Sequence, residues 1–358
     1  MNDALPNALC AMQTLSLDPK YMKTHYTIPF FIHHEGCTHR CVFCDQRNIT
    51  GRSTVAPEDI SHTIDQYLKT MSDHASVEAA FFGGSFTGLS RKRQAELLGP
   101  VKEYIDSGKI KGIRLSTRPD LVDPGGARFL KKNGVTCVEL GVQSMSEEVL
   151  RLSGRGHIAE DTVKASGAVL GEGLSLGHQI MLGLPGSSFE KEMYTARMAV
   201  RLGASQVRIY PTVVIEGTVL AEMWKRGEYV PLSEEEALSR SADILSYFNS
   251  EGIKVLRCGL HPSEELSSGG KLLAGPFHPA FRLKAESIIF GRMLRSILDE
   301  GPDAVSKVSY NPDDECALRG YGAMNSSVIT ELRRLKPDGF LSPSSNVTRG
   351  RLTVERNV

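Results

Sequence analysis

Short apolar runs alternate with longer amphipathic stretches from about residue 26 to residue 215 of this 358-residue chain. A short run of apolar or β-branched residues that ends in turn-forming residues is typical of a buried strand. Six runs fit this description, at residues 28–33, 77–82, 112–117, 136–142, 175–182 and 206–212. We therefore predict six strands, each followed by a turn.

The stretches between these runs carry the apolar spacing and the start signals of helices. Apolar residues recur at helical intervals after Pro57 and after Ser90. Asp123 followed by Pro124 is a typical helix start, and Ser187 with Glu190 predicts a capping box. Repeated strand–helix units favour a parallel sheet with right-handed crossovers. Six units are too few for a complete eight-stranded barrel, so the fold class is α/β, a partial (β/α)6 TIM-like barrel.

The remainder of the chain has a different pattern and predicts a C-terminal α/β extension. Ser233 and Glu236 form a second predicted capping box, residues 253–260 a further strand, and residues 281–297 a further helix. The predicted organisation is a flexible lead-in at 1–25, the barrel at 26–214, the extension at 215–325 and a tail at 326–358. The tail is expected to be loosely ordered from Pro337.

Composition restricts the functional classes. Forty-two basic residues balance forty-two acidic residues, so the overall charge gives no general attraction to nucleic acid or to an anionic membrane. The first residues lack the basic start and apolar core of a secretory signal, and no apolar run approaches the ~20 residues of a membrane helix. We therefore expect a cytoplasmic protein with no membrane association.

Three of the seven cysteines, Cys37, Cys41 and Cys44, fall within eight residues in the spacing C-x3-C-x2-C. Such close spacing suits a metal site better than a disulfide framework. Thiolates bind both zinc and iron–sulfur clusters, and His33, His34 or His39 could supply the fourth ligand of a zinc site. Three ligands at the end of a strand fit a [4Fe–4S] cluster with one open iron better.

Polar or glycine-rich motifs follow the later predicted strands, where a barrel carries its chemistry. Glycine lets the backbone approach a ligand closely, and an arginine fork suits a carboxylate. Glu139 could equally be an interior acid paired with Arg114 or Arg118. The candidate cofactor-binding residues are Gly83, Gly84, Ser85, Thr117, Arg118, Glu139, Gln143, Arg155, Gln179 and Leu184.

The cysteine motif, with Phe43 directly before its third cysteine, resembles the signature of the radical S-adenosylmethionine (SAM) superfamily. The resemblance implies a [4Fe–4S] cluster on the three cysteines and S-adenosylmethionine bound to its open iron. It also implies that Gly83 and Gly84 meet the methionine amino group and that Leu184 packs near the adenine. A further resemblance, to oxygen-independent coproporphyrinogen oxidases, implies that Gln143 contacts the ribose and Arg155 the methionine carboxylate.

Residues 26–325 are similar to the radical domain of the Elongator catalytic subunit, with which they share the elements TRPD, ELGVQS and RGH. This resemblance implies modification of a tRNA wobble uridine, and its reaction implies an electron donor of the flavodoxin or ferredoxin type. The residues after 325 are too few for the acetyltransferase domain of that family, so acetyl-CoA use is not expected.

Two other functions remain open from the sequence. One is a radical SAM enzyme of small-molecule or tetrapyrrole metabolism, and the other is a non-catalytic metal- or cofactor-binding protein. Arg208 and Tyr210 are candidates for substrate contact. Cys258, His261 and His278 could line the substrate end of the barrel or simply cap helices.

Overall fold

The computed structural model describes residues 25–45, 54–72, 75–262, 270–301, 304–336 and 339–357. The described residues form two compact units. The barrel unit contains those between 25 and 237 and between 250 and 279, and the C-terminal unit contains 238–249 and those from 280 onward. The predicted lead-in lies outside the described residues, apart from His25.

The barrel unit is built on one parallel sheet in the order β1-β2-β3-β4-β5-β6-β8. A small antiparallel pair, β7 with β9, lies outside this sheet. The strands of the unit are β1 His25–Phe31, β2 Ser76–Phe82, β3 Gly112–Thr117, β4 Val135–Gln143, β5 Ser175–Leu182, β6 Gln206–Pro211, β7 Val214–Ile215, β8 Lys254–Cys258 and β9 Leu272–Ala274.

This sheet confirms the predicted α/β partial barrel but corrects the number of strands from six to seven. The seventh strand, β8, pairs in parallel with β6, with Ile209 opposite Cys258. It lies within the segment 215–325 that the sequence assigned to the extension. The apolar run was recognised as a strand, but more than forty residues separate it from β6, so its partner was not apparent.

Parallel pairing brings the carboxyl ends of the strands to one edge of the sheet. Phe31 lies opposite Phe82 in β1 and β2, and Thr117 lies opposite Leu140 in β3 and β4. Every residue of β3 is buried, as expected for a strand covered on both faces. The turns that leave these strands therefore lie along a common edge.

Helices connect the strands where the apolar spacing predicted them. Ser90 and Asp123 cap their helices, accepting from the backbone of Arg93 and Gly126. The predicted cap at Ser187 is one residue early. The Ser188 side chain caps the helix, whereas the Ser187 hydroxyl donates to Glu192 at 3.0 Å. The helices are α1 Pro57–Leu68, α2 Arg91–Asp106, α3 Pro124–Lys132, α4 Glu147–Leu152, α5 Ala159–Gly171, α6 Phe189–Arg201 and α7 Val219–Lys225.

The C-terminal unit has its own apolar core and a three-stranded sheet in the order β11-β10-β12. Its elements are α8 Glu234–Ser250, most of which belongs to this unit, α9 Phe281–Asp299, β10 Val305–Tyr310, α10 Glu315–Arg319, α11 Ser326–Leu335, β11 Leu341–Pro343 and β12 Leu352–Arg356. The predicted tail is thus largely structured: buried Val328, Ile329 and Leu332 join the core through α11. Pro337 lies outside the described residues.

None of the described helices is long and apolar enough to cross a membrane.

Candidate cofactor site at the carboxyl edge of the sheet

The cysteine loop is fastened to the turn that follows β2. Backbone hydrogen bonds of 2.9 Å run from Ile32 to Phe82, from His34 to Gly83 and from Ser85 to Glu35. They extend the β1–β2 pairing beyond the strands into both turns. The segment that leads to the first cysteine is therefore fixed by the Gly83–Ser85 turn.

Two glycines make this fastening sterically possible. A Cβ atom added at Gly84 would lie 2.3 Å from the Ile32 carbonyl oxygen and 2.6 Å from that of Glu35. One added at Gly36, whose φ is +72°, would lie 2.1 Å from the Ser85 carbonyl oxygen. Neither distance is compatible with a side chain, so these glycines are required for the close approach of two backbones.

Each of the first two cysteine sulfurs lies beside a polar group from another part of the unit. Cys37 Sγ is 3.3 Å from Ser85 Oγ, and Cys41 Sγ accepts from Arg155 Nη1 at 3.0 Å. Cys44 donates its backbone N–H to the Cys41 carbonyl at 3.1 Å. The structure thus holds Cys37, Cys41 and Cys44 in one loop at the carboxyl edge of the sheet.

Among the described residues, no group of three or more histidine, cysteine, aspartate or glutamate side chains is close enough together to hold a metal ion. The assignment of Cys37, Cys41 and Cys44 as metal ligands therefore stays a prediction.

Arg155 and Gln143 meet around Gly141, near the end of β4. Arg155 Nη2 donates to the Gly141 carbonyl at 2.5 Å, while Arg155 Nε and Gln143 Oε1 are buried without a hydrogen-bond partner in the described structure. A Cβ at Gly141 would lie 3.2 Å from Gln143 Nε2 and 3.4 Å from Arg155 Nη2. Gln143 also has a φ of +65°, which is uncommon for a residue other than glycine.

These unsatisfied groups indicate a ligand. Leaving a buried donor or acceptor unpaired costs about 1–3 kcal/mol, so such groups are rare unless something else satisfies them. Three soft thiols in one loop, with a free arginine donor and a free amide acceptor nearby, fit an iron–sulfur cluster and a ligand that carries a carboxylate and hydroxyl groups.

Arg118 and Thr117, at the end of β3, are mostly committed to neighbouring residues. Arg118 donates to Asp120 at 3.0 Å and to the Arg155 carbonyl at 2.5 Å, with Nη1 buried and unpaired. The Thr117 hydroxyl is 2.5 Å from that of Thr87. Arg118 therefore supports the loop that carries Arg155.

His157 lies next to these arginines and is uncharged at neutral pH. Burial, together with the positive charges of Arg155 and Arg118, lowers the pKa of His157 to about 3. Its imidazole therefore adds no positive charge to the site near pH 7.

Glu139 is the interior acid that the sequence left as an alternative. Its carboxylate is 1% exposed and accepts from Arg114 at 2.8 Å and from Arg208 at 2.5 Å. Of the two partners that the sequence suggested, Arg114 donates to Glu139, whereas Arg118 donates to Asp120. Although burial alone would raise the pKa of Glu139, the charges of Arg208 and Arg114 lower it. The carboxylate is thus ionised, and both of its oxygens accept hydrogen bonds from neighbouring side chains.

The same network accounts for two other sequence candidates. Gln179 Nε2 donates to Ser116 Oγ at 2.8 Å and to Glu139 Oε2 at 3.1 Å. Arg208, considered as a substrate contact, instead pairs with Glu139 and lies 5.1 Å from the centre of the Phe82 ring. These side chains form the polar interior of the sheet rather than a free surface.

The turn after β5, which contains Leu184, is held from both sides. The Gly183 N–H donates to Glu192 at 2.7 Å, and the Gly183 carbonyl accepts from the Tyr229 hydroxyl at 2.7 Å. Burial raises the pKa of the Tyr229 hydroxyl, so it remains a donor. Neither Glu192 nor Tyr229 was predicted to hold this turn, because their contacts with Gly183 cross between separate segments of the chain.

The remaining candidates lie at the end of β8 or after β8 and β9. Cys258 is buried at the end of β8, and His261 is exposed three residues later. His278 lies after the short strand β9. Their predicted role at the substrate end stays a prediction.

Comparison with known proteins agrees with this geometry. Residues 31–199 match the radical SAM superfamily, and residues 204–289 match the radical SAM C-terminal domain. The chain belongs to the radical SAM superfamily. Enzymes of this superfamily bind a [4Fe–4S] cluster and S-adenosylmethionine and need a reductant.

Among curated proteins, the chain is 32% identical over 258 residues to a tRNA uridine(34) acetyltransferase of Methanocaldococcus infernus, covering 60% of this chain and 47% of that protein. It is 28% identical to Elongator complex protein 3 of Dictyostelium discoideum, covering 52% of this chain and 37% of that protein. The radical SAM chain thus spans about half the length of these relatives, or less.

A solved structure of the archaeal Methanocaldococcus infernus Elp3, with an N-terminal deletion, matches 78% of this chain and 64% of its own. The TM-score is 0.56 at 25% sequence identity. This similarity confirms the radical SAM barrel fold and the predicted kinship with the Elongator radical domain.

Proposed function

We propose that Cys37, Cys41 and Cys44 hold the [4Fe–4S] cluster and that S-adenosylmethionine binds between the cysteine loop and the Gly141 region. The observation that carries this proposal is the position of Arg155. Its Nη1 reaches Cys41 Sγ at 3.0 Å, its Nη2 reaches the Gly141 carbonyl at 2.5 Å, and its Nε is buried and unpaired. The Arg155 side chain thus contacts the cysteine loop and also offers a free N–H donor beside it.

The residues around the cofactor would bind and orient it. Arg155 Nε offers a charged donor to the methionine carboxylate, and Gln143 Oε1 offers an acceptor to a ribose hydroxyl. The backbone of the Gly83–Gly84 turn, beside the cysteine loop, would contact the methionine amino group, and the clamped turn at Leu184 would provide an apolar surface for the adenine. When bound, the cluster and S-adenosylmethionine supply the electron and the 5′-deoxyadenosyl radical, while the protein supplies orientation and shields the reaction from water.

We further propose that the radical acts on a uridine of tRNA and that the electron comes from a flavodoxin- or ferredoxin-type protein. Support for the tRNA substrate is the 32% identity over 258 residues with a protein named tRNA uridine(34) acetyltransferase. The neutral overall charge gives no general attraction to tRNA, so binding would depend on a local surface.

Deuterium transfer tests the substrate. The reconstituted, reduced protein is incubated anaerobically with S-adenosylmethionine and tRNA purified from cells grown in deuterated medium. Deuterium in the 5′-deoxyadenosine is expected, and its amount should fall as salt weakens tRNA binding. Deuterium acquired only from the deuterated small-molecule fraction of the same cells would overturn the tRNA proposal.

A further inference from the structure

We infer that Ser85 and Arg155 set the reduction potential of the cluster by donating hydrogen bonds to two of the sulfurs that hold it. The inference rests on the proposed function, because it takes Cys37 and Cys41 as ligands. It assigns to Ser85 a role different from contact with S-adenosylmethionine, and to Arg155 a second role beside carboxylate binding.

The Ser85 hydroxyl is held where it can reach the Cys37 sulfur. Ser85 is 2% exposed, its Oγ lies 3.3 Å from Cys37 Sγ, and its N–H donates to the Glu35 carbonyl at 2.9 Å. The close approaches at Gly36 and Gly84 leave this backbone no room to shift. Because a ligating sulfur is a thiolate and only accepts, the hydroxyl must be the donor when the cluster is bound.

Arg155 provides a charged donor to the second sulfur. The side chain is 5% exposed, and Nη1 lies 3.0 Å from Cys41 Sγ. Its orientation is fixed by the Gly141 carbonyl, while its own carbonyl accepts from Arg118 at 2.5 Å. The loop that carries Arg155 is joined to the cysteine loop through the Val42 N–H, which donates to Ser153 at 3.1 Å.

Hydrogen bonds to the sulfurs are one of the protein's means of setting a cluster potential. Reduction adds one negative charge to the cluster, so a donor stabilises the reduced state more than the oxidised state. The effect is larger for a buried, charged donor, because the surroundings screen it little. Both donors should therefore make the cluster easier to reduce.

The test is a redox titration followed by electron paramagnetic resonance, on reconstituted protein without S-adenosylmethionine. Leaving the cofactor out removes any effect of Arg155 on carboxylate binding. Ser85→Ala should lower the reduced-to-oxidised ratio about tenfold at a fixed potential, which is ~59 mV for a one-electron couple. Arg155→Lys, which keeps the charge but not the planar fork, should also lower the ratio, and Ser85→Thr should restore it towards that of the unmodified protein.

Thr38→Ala is the matched control. It removes a hydroxyl from the same loop, but this hydroxyl lies 2.9 Å from His39 Nδ1 and not beside a sulfur. Its potential should be unchanged. A Ser85→Ala protein with full iron content and an unchanged potential would overturn the inference. If Ser85→Ala holds no iron, an unchanged potential in Arg155→Lys would overturn the inference instead. Failure of the unmodified protein to bind a cluster would instead contradict the proposed function.

Discussion

Arg208 and Glu139 form a buried ion pair that joins β6 to β4 inside the barrel unit. Arg208 Nε and Nη2 lie 2.5 Å and 3.1 Å from the carboxylate oxygens of Glu139. Arg114, from β3, donates to the same carboxylate at 2.8 Å. One acid thus neutralises arginines from two other strands at a position that water barely reaches.

Removing this carboxylate should destabilise the protein strongly. Glu139→Gln would leave Arg208 without its carboxylate partner and Arg114 with only Glu78, at 3.3 Å, and breaking a buried pair in this way costs about 3–5 kcal/mol. Chemical denaturation should show that loss in the free energy of unfolding. Glu148→Gln, which removes a fully exposed partner of Lys191, is the control and should have no measurable effect. Equal stability of the two variants would contradict the structural role of Glu139.

The same pair predicts a dependence of stability on pH. The pKa of Glu139 is lower in the folded protein than its ordinary value of 4.5. The pair therefore stabilises the fold fully above that ordinary value, and the contribution is lost as pH falls through the lower pKa of the folded state. Denaturation between pH 6 and the acid limit should show a shallower loss of stability in Glu139→Gln than in the unmodified protein. Parallel curves would show that Glu139 does not contribute.

Gly84→Ala should separate the cysteine loop from the β2 turn. The added methyl group would lie 2.3 Å from the Ile32 carbonyl oxygen, and overpacking of this kind costs about 1–3 kcal/mol. Reconstituted Gly84→Ala should melt earlier and retain less iron. Gly167→Ala is the control: apart from its own helix and chain neighbours, nothing lies within 4 Å of the would-be Cβ of Gly167, which is inside α5, where alanine stabilises by about 0.5–1 kcal/mol. Full iron content in Gly84→Ala would contradict the close-approach argument.

Gln143 should contribute to binding at a cost in stability. Both Gln143→Ala and Gln143→Gly remove the unpaired Oε1, so each should bind S-adenosylmethionine at least tenfold more weakly in anaerobic equilibrium dialysis. Glycine also relieves the left-handed backbone at φ +65°, so Gln143→Gly should be about 1 kcal/mol more stable than Gln143→Ala. Unchanged affinity in Gln143→Ala would contradict the proposed ribose contact.

The sequence predicted the sheet well because its strands are short apolar runs at the expected spacing. It left β8 without a partner, since the interruption between β6 and β8 hides the pairing of Ile209 with Cys258. It suggested Arg114 or Arg118 as the partner of Glu139 and missed Arg208, because Arg208 is 69 residues away in the chain and the pair forms only when the sheet assembles. The contact between Ser85 and Cys37 could not be predicted either, because it forms only when two backbones meet at Gly36 and Gly84.

We propose that Cys37, Cys41 and Cys44 hold a cluster that cleaves S-adenosylmethionine reductively. The most direct test is to reconstitute the protein with iron and sulfide without oxygen, reduce it with dithionite and measure 5′-deoxyadenosine by mass spectrometry. The unmodified protein should produce 5′-deoxyadenosine, and so should the control Cys137→Ser. Cys137 lies outside the cysteine loop, and burial raises the pKa of its thiol to about 12. Replacing any one of the three loop cysteines by alanine should abolish 5′-deoxyadenosine formation. No 5′-deoxyadenosine from the unmodified protein, or undiminished formation in a loop-cysteine variant, would contradict the account.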